Sequence, residues 1–154
     1  QQGRTEDILP SLGLLSTKGD DLGEAGSVIQ AAVTGFSEAY SMIDLAIGDQ
    51  VMQVLGQQRP ATERVRLFLA ARDIAIATSK PTQLSIRNML SVTITDIAPL
   101  TGKMRGLVAV HLTVNGSGER LCAHISKAAC EALNLQLRAE VFALIKSARI
   151  STPA

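Results

Sequence analysis

What most limits the fold of this chain is the brevity of its apolar runs. From Ser27 onward they are short, carry many β-branched residues, alternate with a period of two, and stop at residues that favour tight turns. Successive side chains on a strand point to opposite faces, so this pattern buries one face of a sheet and does not suit long helices. It predicts strands over Val28 to Phe36, Ser41 to Ile47, Val51 to Leu55, Val65 to Ala70 and Ile74 to Thr78. Gly48-Asp49 and Gly56-Gln57-Gln58-Arg59-Pro60 separate them with turn chemistry. The layout then recurs: Met89 to Ile97, Pro99 and Gly102 as turn residues, Leu107 to Val114, the hairpin signal Asn115-Gly116-Ser117-Gly118, Arg120 to Ile125, and a closing strand over Val141 to Ile145.

One helix interrupts this pattern. Ser126 suits the cap of a helix over Lys127 to Leu133, because its hydroxyl can accept an orphan amide of the first turn, and Asn134 suits the left-handed position after it. The two closing strands also superpose without a gap. Val65-Arg66-Leu67-Phe68-Leu69-Ala70-Ala71-Arg72-Asp73-Ile74 lies over Val141-Phe142-Ala143-Leu144-Ile145-Lys146-Ser147-Ala148-Arg149-Ile150, apolar on apolar at most strand positions. A duplication follows, with the first copy lacking the helix. Residues 1–26 hold one apolar stretch, Ile8 to Leu15, broken by Pro10 and Gly13, and read as a linker or leader. The start at Gln1, without a methionine, reads as a fragment.

Composition narrows the function classes. The 154 residues allow one ordinary domain or two small barrels of about 70 residues, a size at which a lone core is marginal and a packed neighbour is needed. Hydrophobic residues make up 46% but aromatics only 3%, so the core is aliphatic and stacking platforms for single-stranded nucleic acid are not expected. The formal net charge of +1 provides no field toward DNA or an anionic membrane, so any anion must be captured locally. No apolar run reaches the roughly 18 residues of a membrane helix. Cys122 and Cys130 lack a CxxC spacing and suit reduced, buried thiols.

At Leu84-Ser85-Ile86-Arg87-Asn88-Met89-Leu90 the chain resembles the Ser-x-Arg-Asn-x-Leu opening of the molybdate-binding Mop/TOBE family of small barrels. The downstream segments resemble the family in order: Gly118-Glu119-Arg120-Leu121-Cys122-Ala123-His124-Ile125-Ser126, the helix with Leu133-Asn134-Leu135, and Val141-Phe142-Ala143-Leu144-Ile145-Lys146-Ser147. The run from Val65 through Arg72-Asp73 to Ser85 is similar to the junction between repeats in importer ATP-binding subunits. Departures stand at Ser91, where a glycine is usual, and at Asn134 and Arg138, where Leu-Gly and a turn glycine are common. Arg tolerates the left-handed conformation poorly.

Molybdate is a tetrahedral dianion with only acceptor lone pairs, so its pocket needs converging N–H and O–H donors and positive charge, without carboxylates in contact. Ser85 and Arg87, two apart, share one side of an extended segment. Lys146 and Ser147 follow the closing strand. The resemblance implies that Ser85, Arg87, Asn88, Lys146 and Ser147 line an oxyanion site at subunit contacts. Ser126 and Lys127 follow, as donors at a helix start. From the residues alone, Arg87 and Lys146 read first as solvated charges and the serines as turn formers, and it is the resemblance that favours the site. The first copy has Ala70 and Ala71 where the second has Lys146 and Ser147, leaving Arg72 as the obvious cation there.

Cys122, His124 and Cys130 lack a fourth ligand at zinc spacing, and His111 reads as a packed strand residue. Thr101-Gly102-Lys103 echoes a phosphate loop without the required GxxxxGK[ST], so this chain is not expected to be an enzyme by itself. The expected fold is all-β: tandem OB-like Greek-key barrels over residues 27–80 and 81–154, the second with one short helix. The resemblance implies a regulatory domain, sensing molybdate or tungstate and dimerising, of the ATP-binding subunit of a molybdate ABC importer. Its partners would be a second copy, the nucleotide-binding domain of the same polypeptide and the importer's membrane subunits. It would sit in the cytoplasm at the inner membrane face, with no cofactor, metal or nucleic acid. The alternatives are a purely structural dimerisation module and a molbindin-like cytosolic molybdate store.

Overall fold

The computed structural model describes residues 25–151. The leader expected over residues 1–26 lies outside them except for its last two. Ten strands follow in order: β1 (Gly26–Ser37), β2 (Met42–Ile47), β3 (Gln50–Leu55), β4 (Arg64–Ala70), β5 (Ile74–Ala77), β6 (Asn88–Pro99), β7 (Leu107–Val114), β8 (Arg120–Ser126), β9 (Glu140–Ile145) and β10 (Arg149–Ser151). The helix α1 (Lys127–Ala132) stands between β8 and β9. The expected elements are present, with two differences. Pro99 is the last residue of β6 rather than a turn residue, a place where its missing N–H breaks no central ladder. β10 was not expected, since three residues carry too little pattern to announce a strand.

The chain is an all-β protein of two five-stranded sheets, ordered β10-β4-β1-β2-β3 and β5-β9-β6-β7-β8. In each, a three-strand meander (β1-β2-β3 or β6-β7-β8) receives a later strand (β4 or β9) beside its first, as in a Greek key. Inward positions of both sheets meet in one contiguous aliphatic cluster that includes Ile29, Leu45, Leu67 and Leu69 from one sheet and Leu90, Ile94, Leu112 and Leu121 from the other. Burying each such side chain contributes about 1.5 to 3 kcal/mol.

The duplication extends to backbone detail. β1 carries a bulge between Val33 and Gly35, β6 one between Ile94 and Asp96. At the first bulge Val33 N–H donates to Glu63 O (2.8 Å) and Thr62 N–H to Val33 O (2.8 Å). At the second, Ile94 N–H donates to Ala139 O (3.0 Å) and Arg138 N–H to Ile94 O (2.7 Å). Thr62 and Arg138 occupy equivalent places in the turns before β4 and β9, with φ of 72° and 70°. The left-handed position that disfavours Arg138 is thus held in both copies by two bonds to the bulge. Asn134, at φ 53°, takes the expected position after the helix.

The halves exchange strands. β5, which follows β4 in the chain, pairs with β9 of the other sheet from Ile74↔Ile145 to Ala77↔Phe142. β10, which follows β9, pairs with β4 from Arg149↔Phe68 to Ser151↔Arg66, and the Arg149 guanidinium lies 4.5 Å above the Phe68 ring. Each small barrel therefore completes its sheet with a strand from the other, which meets the need of a marginal core for a neighbour.

A polar seam adds to this exchange. β3 is an edge strand, and Asn88 satisfies it as a partner strand would: Asn88 Oδ1 accepts from Gln53 N–H and Asn88 Nδ2 donates to Gln53 O, both at 2.8 Å. The Gln50 amide donates to Ser91 O (3.0 Å) and Asn115 O (2.8 Å) and accepts from Ser91 N–H (2.7 Å). Beside it the β2–β3 and β7–β8 turns interlock. A side chain at Gly48 would strike Ser117 Cβ and Gly116 O, and one at Gly116 would strike Asp49.

Candidate functional site

The register of the second sheet assembles the site. Asn88 opens β6 and pairs with Ile145, the last residue of β9, which pairs on its other side with Ile74, the first residue of β5. One step beyond these ends, Arg87, Lys146 and Asp73 stand side by side at the mouths of three adjacent strands. Ser85 precedes Arg87 and Ser147 follows Lys146, so the two segments that sequence reasoning singled out converge at one end of one sheet. Ser85, Arg87, Lys146 and Ser147 are all exposed. Asp73 ends a 3-10 turn, Ala71–Asp73, whose backbone carbonyl accepts from Lys146 N–H at 3.0 Å.

Electrostatically the cluster presents two cations and two hydroxyls beside one carboxylate. Among the described residues the head groups of Arg87 and Lys146 take part in no ion pair; the salt bridge found there joins Arg59 to Glu63, between β3 and β4 of the first half. Ser147 Oγ donates to Asp73 Oδ2 at 2.8 Å. Sequence reasoning missed Asp73 as a neighbour, because a contact across 74 positions of chain has no local signal.

The remaining expected residues fall elsewhere. Asn88 borders the cluster, but its amide is engaged with Gln53 of the first half, leaving one Nδ2 hydrogen. Ser126 caps α1 as expected, accepting from Ala129 N–H at 2.9 Å. In the register, Ser126 pairs with Leu107 at the end of β7 that adjoins Pro99, whereas Arg87 precedes the opposite end of β6. Ser126 and the exposed Lys127 therefore share no strand end with the cluster, and the six-residue helix adds little dipole.

The first half lacks an equivalent site for a steric reason. In the superposed copies Lys146 and Ser147 correspond to Ala70 and Ala71, which are 4% and 0% exposed. Arg87 corresponds to Gly26, where a Cβ would meet the Phe68 ring at 2.5 Å and Leu69 O at 2.6 Å. Core packing occupies the place that the second half opens to solvent.

The cysteines are free thiols, and Cys122, although only partly buried as a residue, has its sulfur desolvated enough to push its pKa up to about 12. That makes it unreactive. Burial, then the charge of His111, holds His124 below the ordinary imidazole value. No group of three or more His, Cys, Asp or Glu among the described residues is placed to hold a metal ion.

Comparison with known proteins adds a class to this geometry. Residues 84–151, which include Ser85, Arg87, Lys146 and Ser147, match the model of the TOBE domain. Over nearly its whole length the chain is homologous to a part of the molybdenum importers' ATP-binding subunits. It is 37% identical over 147 residues to the Molybdenum import ATP-binding protein ModC of Mesorhizobium japonicum, covering 94% of this chain and 37% of that protein. It is 29% identical over 152 residues to the ModC of Brucella abortus, covering 99% of this chain and 39% of that protein. The chain thus spans less than half the length of these relatives. The solved structure of the cytoplasmic molybdate-binding protein ModG, with molybdate bound, superposes with a TM-score of 0.69 over 82% of this chain and 95% of that one. At 23% identity this likeness establishes the tandem-barrel fold alone.

Proposed function

We propose that this chain is the regulatory, oxyanion-sensing and dimerising part of the ATP-binding subunit of a molybdate importer. The observation that supports this reading is the register that brings Arg87 and Lys146 to adjacent strand ends, with Ser147 after Lys146 and Ser85 two residues before Arg87, all exposed and with both cations in no ion pair among the described residues. A tetrahedral dianion offers only acceptors, and these four side chains supply donors and two charges. At about 1.5 to 3 kcal/mol for each charge-assisted hydrogen bond, three or four such bonds support micromolar capture. These side chains are exposed, and a second copy would cover them. Residues 27–80 and 81–154 would act as paired barrels, with the exchanged strands transmitting strain between them.

In this reading cytosolic molybdate or tungstate occupies the site between two copies, favours one placement of the subunits, and biases the nucleotide-binding domains and membrane subunits attached to them. Such a bias requires unequal affinity for the two placements. Titration calorimetry of the 154-residue chain with molybdate, tungstate and sulfate tests it. Saturable heat with molybdate or tungstate is expected, and an absence of heat with all three at millimolar anion defeats it.

The engagement of Asn88 with Gln53, and of Ser147 with Asp73, favours a second reading, a structural dimerisation module without a working site. Arg87→Ala separates the two: loss of anion binding with the dimer intact supports sensing, and loss of the dimer alone supports scaffolding.

A further inference from the structure

We infer that Asp73 is a built-in competitor for the oxyanion, a carboxylate that holds the Ser147 hydroxyl and must release it before a fully deprotonated dianion can bind. This inference rests on the proposed oxyanion site. A serine hydroxyl has one hydrogen, and here it points to Asp73 Oδ2 at 2.8 Å. So engaged, Ser147 turns only lone pairs toward an incoming oxygen, and a lone pair facing an acceptor repels. Asp73 adds a negative charge beside Lys146 and Arg87.

The carboxylate is held there by backbone. Lys146 N–H donates to Asp73 O, and the next residue, Ile74, begins the pairing of β5 with β9. Rotation of the Asp73 side chain alone would free Ser147 and leave every backbone bond in place. The repeat does not reproduce the arrangement: where it places Asp73 in one copy it places Arg149 in the other, and where it places Ser147 it places the buried Ala71.

The chemistry also sets a selectivity. Molybdate carries no proton near neutral pH and cannot satisfy a carboxylate. Hydrogen phosphate brings its own O–H, which can donate to Asp73 in place of Ser147. Asp73 therefore raises the molybdate concentration at which the site fills, and does so less for phosphate.

Calorimetric titrations of the 154-residue chain with sodium molybdate and with inorganic phosphate test this, using the wild type, Asp73→Asn, Ser147→Ala and the double variant. Asp73→Asn should bind molybdate about tenfold tighter or more, with a smaller gain for phosphate. Ser147→Ala should change molybdate affinity by less than about twofold beside Asp73, and lower it about tenfold in the Asp73→Asn background. Equal effects of Ser147→Ala in both backgrounds, an equal gain for both anions, or an unchanged affinity in Asp73→Asn overturns the inference while the oxyanion site stands. Absence of molybdate binding in both the wild type and Asp73→Asn defeats the site reading itself and the competitor with it. Should Asp73→Asn not fold, a loss of about tenfold from Ser147→Ala alone still overturns the proposal.

Discussion

The two halves of this chain share bulges, turns and the order of their strands, yet only the second keeps an open cluster of donors. At the mouth of the second sheet stand Arg87, Lys146 and Ser147. At the corresponding mouth of the first stand Gly26, Ala70 and Ala71, with the Phe68 ring filling the space. A duplicated fold thus supports two uses of one location: a small residue lets the core close over it, and a charged one keeps it in water. Of the exchanged strands, β10 lies on the first sheet with Arg149 over Phe68, and β5 begins one residue after Asp73 and pairs in the second.

The strand exchange implies that the halves unfold together. Leu67, fully buried in the first half, is the largest lever: Leu67→Ala should cost about 2 to 5 kcal/mol and lower a single cooperative transition reported by amides of both sheets. Separate melting of the second sheet in hydrogen exchange would show that exchange of strands does not couple them. Next in size, Arg87→Ala or Lys146→Ala should weaken molybdate binding about 10- to 100-fold, or about 1.5 to 3 kcal/mol, with the melting temperature unchanged. Unchanged affinity in both variants would remove these cations from the site.

Asn88→Ala should cost about 1 to 3 kcal/mol of stability in a denaturant titration, because it strands the Gln53 N–H and C=O on the edge of β3. A larger effect on anion affinity than on stability would return Asn88 to the site. The smallest effect concerns pH. His124 is held below the ordinary imidazole value of 6.5 by burial, so the unfolded chain takes up its proton first. Stability should be complete above 6.5 and decline as pH falls below it, and His124→Gln should flatten that decline in melts between pH 7.5 and pH 5.5. A decline of unchanged slope assigns it to other groups.

Much of the architecture was legible because it is local. Period-two alternation placed nine strands, Ser126 and Asn134 marked both ends of α1, and Asn115 to Gly118 marked a hairpin. The convergence of Ser85 and Arg87 with Lys146 and Ser147 was legible only through the family resemblance, since no spacing announces a pairing of Asn88 with Ile145. Gln50 and Gln53, which join the halves, resemble any surface glutamine. Asp73 was legible as part of a junction but not as the partner of Ser147.

By itself, the order of residues determined where strands begin and stop, which face of each is apolar, and that two copies of one unit are present. These follow from side-chain alternation and turn stereochemistry, which act over a few residues. Only the tertiary structure decided which strand joins which sheet, which of the two mouths closes over alanine, and where a carboxylate meets a serine 74 positions away. Backbone N–H and C=O groups are alike on every strand edge, so their pairing is chosen by how the whole core packs.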